Sequence, residues 1–459
     1  SDDDGGFSTG GQVRLMSGIE INDSGRQVWT FEGVEVDELF LDVSGPGYSL
    51  YGSVLFYEDT PDYGSGFRAA IEASFDPSLT VEAIVQFGEV DDYRYWFADA
   101  MASFNPGIQI GTTGLALYGF GGGASYHMTR AGMDDVELEE GEEEDPEEAE
   151  SDIGMSLSGV LYIPDQSAGI GIRARLGIGL SARETFNADV MFEIIFNANG
   201  GLSQIAFEGD ARFLTPPAEE DPAIRAILAM NYDFENDAFH AQLDMYINIA
   251  GGVVSGAYDD NLAGTGIIHA DPSLWYIHLG TPDNRIMLSY DLGPLADLAG
   301  TSPDDDVEGS DGAQIDWGSM GLLLTAYLDA GMNLPAFPAL PPEVTDILGE
   351  ISVFNPVDPR FQGGTGLMFG ASMQLTVPDI SFLAFYAEFS AGAGFDVMML
   401  NLGEAARCAG NENSSEPIGV NGWYATGQVW GYVEGAIGLH VDIFGVSGDF
   451  EILSLAAAA

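Results

Sequence analysis

Apolar and polar residues alternate with period two along much of the chain, the mark of extended backbone with one buried face. The stretch from Ile170 to Arg183 is the clearest case. Ile170, Ile172, Ala174, Leu176, Ile178, Leu180 and Ala182 fall on one side, and Gly171, Arg173, Arg175, Gly177, Gly179, Ser181 and Arg183 on the other. A helical period cannot separate these two sets. Similar alternation runs through residues 205–213 and 239–249, where Phe239, Ala241, Leu243, Met245, Ile247 and Ile249 interleave with His240, Gln242, Asp244, Tyr246 and Asn248. Turn signals separate the runs: Asn199-Gly200-Gly201, Glu235-Asn236-Asp237, Gly251-Gly252 and Thr281-Pro282-Asp283-Asn284. The pattern predicts an all-β fold of long antiparallel strands in meander sheets, forming a sandwich or an open, curled sheet, with the apolar set of each strand buried. Helix signals are few: residues 344–351 after Pro341-Pro342-Glu343, and a turn at 295–298.

Three interruptions divide the pattern. Residues 134–150 are nearly all carboxylate, residues 301–312 form a second acidic loop, and Pro335 to Pro342 is Pro-rich. The expected units are 1–133, 151–300 and 313–459. The first residue is Ser1 and the chain ends in Ala456 to Ala459, which suggests a fragment of a longer protein.

Charge changes the picture most. There are 73 Asp plus Glu against 13 Lys plus Arg, a formal net charge of -60. Every basic residue is Arg, and Lys is absent. Carboxylates hold water without exposing an apolar stem, so the bias fits selection for solubility in salt and predicts a halophilic source. Spread over the roughly 17,000 Å² of a globular chain of this mass, the net charges would sit about 17 Å apart, beyond the ~10 Å Debye length at 0.1 M salt. Clusters such as 134–150 carry the repulsion. The balance argues against nucleic acid and anionic membrane surfaces as partners and makes cations the natural counter-ligands. One cysteine, Cys408, leaves no internal disulfide framework. No apolar run is long enough for a transmembrane helix.

Candidate chemistry is sparse. Gly119 to Gly123 has the look of a phosphate loop, but strand pattern follows it and no Lys is near. Asp304, Asp306 and Glu308 echo the first half of an EF-hand, yet the twelfth position is Ile315 where a bidentate Glu is needed. A looser Ca2+ site from Asp304, Asp306, Glu308 and Asp311 stays open beside a plain acidic loop. His240, His269 and His278 fall on neighbouring predicted strands without the spacing of a metal motif. Ser156 misses nucleophile-elbow spacing by one residue and reads as strand. Carboxylates are too abundant to single out a glycosidase pair. Trp275, Tyr276, Trp423, Tyr424 and Trp430 could form a binding platform for carbohydrate or a partner, against the commoner role of cross-strand packing.

Residues 275–284, Trp-Tyr-Ile-His-Leu-Gly-Thr-Pro-Asp-Asn, resemble segments of very long TANFOR-domain-type surface proteins of Bacteroidetes-like bacteria, as do Gly392 to Met398 and Asn421-Gly422-Trp423-Tyr424-Ala425. The resemblance covers parts of the second half. It implies an exported, multi-domain protein and carries no catalytic residues. Together these readings point to a non-enzymatic extracellular or cell-surface structural or adhesive module, an adhesin or filament segment whose partners are other copies or segments of the same assembly. An outer-membrane β-barrel, a carbohydrate-active protein and a carrier of a hydrophobic ligand stand as alternatives. Against the barrel, many apolar positions are small (Ala, Gly, Ser), and clear aromatic girdles at strand ends are not evident.

Overall fold

In the computed structural model the chain is described over residues 6–21, 26–75, 78–131, 153–157, 159–216, 221–291, 314–315, 320–349, 365–382, 385–403, 419–443 and 446–459. These hold twenty-four strands and one short α-helix, as the period-two pattern predicts. All described strand pairs are antiparallel.

The described chain gathers into two compact units, and β12 (Leu202–Phe213) and β13 (Ile224–Asp233) give residues to both. The first comprises residues 1–210 and 231–235. Its strands are β1 (Phe7–Ile21), β2 (Gln27–Gly45), β3 (Tyr48–Thr60), β4 (Gly64–Phe75), β5 (Leu79–Val90), β6 (Tyr93–Gln109), β7 (Leu115–Tyr126), β10 (Ala168–Leu180) and β11 (Phe186–Asn197). Each pairs with the next, and β7 pairs directly with β10. The chain between them forms a separate two-stranded ladder, β8 (Met128–Arg130) with β9 (Tyr162–Pro164). The acidic stretch 134–150 itself lies outside the described residues. Its composition marks it as a boundary between units, whereas the β7–β10 ladder joins the strands on its two sides within a single unit. Between β5 and β6, Asp91 and Asp92 both take positive φ, 48° and 69°, the backbone a two-residue hairpin turn requires.

The second unit comprises residues 211–230 and 236–459. Here β14 (Ala238–Ile249) pairs with both β15 (Val254–Gly256) and β16 (Leu262–Ala270). β17 (Trp275–Leu279) follows β16, β18 (Ile286–Asp291) follows β15, and both pair with β20 (Gly321–Met332). A regular meander of β20, β21 (Thr365–Phe382), β22 (Phe385–Asn401), β23 (Trp423–Ile443) and β24 (Val446–Ala458) completes it, with β19 (Gln314–Ile315) on the end of β21. The helix α1 (Pro342–Leu348) has Pro in its first turn, as expected.

In β10, the clearest alternation in the sequence, the faces are the reverse of the expectation, whereas in β14 Ala241 of the expected set is buried. In β10, Ile172 is 50% exposed while Arg173 is 5% exposed. In β22, Ala393 and Phe395 are exposed while Asp396, Met398 and Leu400 are buried. The cause lies in what covers each sheet. In the first unit β8, β9, the turns around Ile153 to Leu157, and Val160 lie on the polar face, burying Tyr95, Phe97, Ile84, Met128 and Tyr162 in one cluster. In the second unit the Pro-rich stretch packs Leu334 and Phe337 on Tyr327, Met368, Met398 and Leu400, and α1 sets Val344 on Trp430 and Tyr432. We call the covered faces inner and the others outer.

Candidate functional site

The outer face of the first unit carries no Asp, Glu or Arg from Leu50 to Phe56, Phe67 to Phe75, Leu79 to Phe87 or Trp96 to Phe104. Strand register lines aromatic residues into two rows across this face. One row runs Phe56, Phe67, Phe87, Trp96 and Tyr126, each opposite the next. Ring centroids are 5.4 Å apart for Phe67 and Phe87 and 6.2 Å for Phe87 and Trp96, both stacked. The other row runs Tyr48, Phe75, Leu79 and Phe104, and Phe104 stacks on Phe120 at 5.7 Å. Eight residue steps separate the rows in β3, β4, β5 and β6, about 27 Å along a strand. Between them sit Val54 and Leu50, Ala69, Ile71 and Ala73, Val85, Ala83 and Val81, and Ala98, Ala100 and Ala102. Contrary to the sequence expectation, aromatic residues do line up near the strand ends, brought together by strand register.

The second unit repeats the polarity. Leu328, Met373, Phe389, Phe395, Val433 and Ile437 are exposed on its outer face, and Val429 is 82% exposed. Opposite-face neighbours such as Asp329 and Asp396 are fully buried.

The inner face of the first unit holds a charged network. Tyr162 Oη donates to Glu193 Oε1 at 2.7 Å, Arg130 Nε lies 3.6 Å from Glu193 Oε2, and Arg130 also pairs with Glu208. The Arg173 guanidinium lies over the Tyr162 ring at 4.1 Å, with Glu193 4.0 Å from its Nε. Opposite charges and the Tyr162 ring offset part of the cost of burying Arg173 and Glu193, though the Arg173 guanidinium nitrogens and Glu193 Oε2 find no hydrogen-bond partner among the described residues. Register explains the fit: Arg173 sits opposite Glu193 on one side and Gly123 on the other. A side chain at Gly123 would collide with the Ala98 carbonyl. The covering segment is tied down by backbone groups. Gly154 N donates to Gln86 Oε1 at 2.8 Å, Arg68 Nη2 to Met155 O and Arg175 Nη1 to Leu157 O, both at 3.1 Å, and Tyr63 Oη to Tyr162 O at 2.9 Å. Burial first, and the Asp62 carboxylate second, push the Tyr63 phenol up to about 12.

The second unit has its own network. Asp396 accepts from Arg285 Nη2 at 2.9 Å, Tyr327 Oη at 3.1 Å and Gln428 Nε2 at 2.9 Å. Gln428 Nε2 also donates to Pro338 O at 3.2 Å, joining the Pro-rich stretch to the sheet. His278 Nδ1 is 2.6 Å from Asp329 Oδ1. His240, His269, Tyr276 and His278 form a row of neighbouring rings. Among the described residues no three His, Cys, Asp or Glu are placed to hold a metal. Asp271 in the β16–β17 turn accepts from Ser273 and Leu274 and lies 2.9 Å from His269 Nε2, and these bonds, Ser273 first and His269 second, hold its carboxyl below the usual range.

The predicted site residues do not converge. Asp304, Asp306, Glu308 and Asp311 lie outside the described residues, as does Cys408. Trp423 is outer, whereas Trp430 is inner and buried under α1. Tyr424 and Tyr276 take the faces opposite their neighbours Trp423 and Trp275, so the five aromatics form no single platform. Gly119 to Gly123 continue through β7 as strand. Ser156 is not in a strand: it lies in the segment covering the inner face, its Oγ accepting from Val160 N. No family model, curated protein or solved structure matches the chain, and no described helix is long and apolar enough to cross a membrane.

Proposed function

We propose that this protein is a membrane-embedded β-barrel of the outer-membrane type, lodged by its outer face in lipid. The supporting observation is the uncharged outer band of the first unit, bounded by aromatic rows. Nine residues from row to row match the 9–11 of a tilted membrane-spanning strand, and the polarity of apolar outside and polar inside is that of a transmembrane barrel. A soluble surface module would need a second layer over this face, and its exposed side chains have none among the described residues. In lipid every strand edge must find a partner, so the reading requires the embedded sheet to be closed. The inserted segments fill the polar face, which suits an anchor or a gated barrel better than a permanently open pore. The connection of residues 127–167 leaves and returns at the Phe56–Trp96 end, whereas two residues join β2 to β3 at the other. Long connections face outward in such barrels, so we place the Phe56–Trp96 end of the sheet toward the cell exterior.

Refolding from urea into detergent and then into phospholipid vesicles tests this. Flotation of the protein with the vesicles, resistant to alkaline wash, is expected. A protein that stays monodisperse without detergent and does not float ends the reading.

A further inference from the structure

We infer that the hairpin of β1 and β2 is a dimerisation arm, docking face to face on the same hairpin of a second copy. Pairing of β2 with β3 ends at Glu38 opposite Leu55. Beyond that, from Val13–Val36 to Ile21–Gln27, β1 and β2 pair only with each other among the described residues. This ribbon starts level with the Phe56 row and runs eight residues past it, about 27 Å. On the membrane reading, which fixes this level, the ribbon stands in water.

Its composition does not suit water. Odd-numbered residues of β1 and their partners continue the outer face, placing Leu15, Ile19, Ile21, Trp29, Phe31 and Val34 on one side, 52–72% exposed. The other side is polar, with Arg14 paired to Glu35 at 3.5 Å and Asp37 at 3.2 Å. A two-stranded ribbon is marginal alone and needs a second packed layer. A second copy supplies a layer of the same length, width and chemistry, related by a two-fold axis that makes the surface self-complementary. The six side chains expose roughly 750 Å² per copy, close to the ~800 Å² per partner of a standard interface. Sheet-on-sheet packing about 10 Å apart would bury them as in a sandwich. Because both copies are strongly acidic, added salt should tighten the contact by screening.

The test uses the full chain, Cys408→Ser, in lipid nanodiscs and in detergent. Mass by light scattering should give two copies, more completely at 1 M than at 0.1 M salt. A short thiol cross-linker should join Phe31→Cys chains and spare Thr30→Cys chains on the polar side. Trp29→Ser with Leu15→Ser should weaken the dimer at least tenfold while flotation stays unchanged. One copy per particle at all concentrations, a dimer indifferent to the double variant, or quenching of Trp29 by brominated lipid would each overturn the inference. Failure to float would instead overturn the membrane reading.

Discussion

Replacing Ile71 by Arg separates a sheet face in lipid from one in water. Ile71 lies on the outer face of β4, four residues from Phe67 in one aromatic row and four from Phe75 in the other, about 13 Å from each along the strand. Its cross-strand neighbours are Gly52 and Ala83, so no carboxylate is opposite to receive the new charge. An Arg at the middle of a lipid-facing strand costs about 2–4 kcal/mol, a factor of roughly 30 to 800 in the folding equilibrium. On a water-exposed surface the same change stays within about 0.5 kcal/mol. Ser65→Arg, outward-facing but beyond the row, serves as the internal control at about 0–1 kcal/mol. Urea titration of folding into vesicles, followed by tryptophan emission, measures both. A difference between the two variants below about 0.5 kcal/mol would refute the reasoning.

Other expectations follow from the inner faces. Asp396→Asn leaves the mostly buried Arg285 beside a neutral partner and should cost about 2–4 kcal/mol, toward the lower end of a broken buried pair because Arg285 keeps some contact with water, read in the same titration; a loss under about 1 kcal/mol counts against the network. Val344→Asp puts a carboxylate against Trp430 and Tyr432, so α1 should lift off, with red-shifted tryptophan emission and cleavage within residues 334–348 by added protease, while flotation persists; unchanged emission contradicts the packing. Tyr63 has its phenol raised in the folded state, so the anchoring it gives the segment around Tyr162 is complete below about pH 10 and is lost as pH rises through about 12. Protease access to residues 153–164 should therefore rise in that window, and Tyr63→Phe should abolish the pH dependence of that access.

The strands and their two-sided alternation were legible in the sequence, because alternation such as Ile170 to Leu180 fits no other backbone. The helix after Pro341 and the turns around Asn199 and Asn236 were legible for the same local reason. Which face is buried was not, since Ile172 out with Arg173 in and the reverse give one and the same alternation. That choice belongs to segments distant in sequence, residues 153–164 and 334–348, which bring hydrogen-bond acceptors for Arg68 and Arg175 and apolar side chains for Met368 and Trp430. The aromatic rows are not legible in the sequence because Phe56, Phe67, Phe87 and Trp96 are spaced irregularly along the chain and align only through register. Local clustering of Trp423, Tyr424 and Trp430 does not make a shared surface, since adjacent strand residues face apart.

Spin labels placed singly from residue 170 to 178, in the Cys408→Ser background, give the most direct test of which side meets lipid. Accessibility to dissolved oxygen should peak at positions 170, 172, 174, 176 and 178, with a water-soluble nickel complex excluded there. Peaks of nickel accessibility at those even positions would put the apolar face in water and contradict the account.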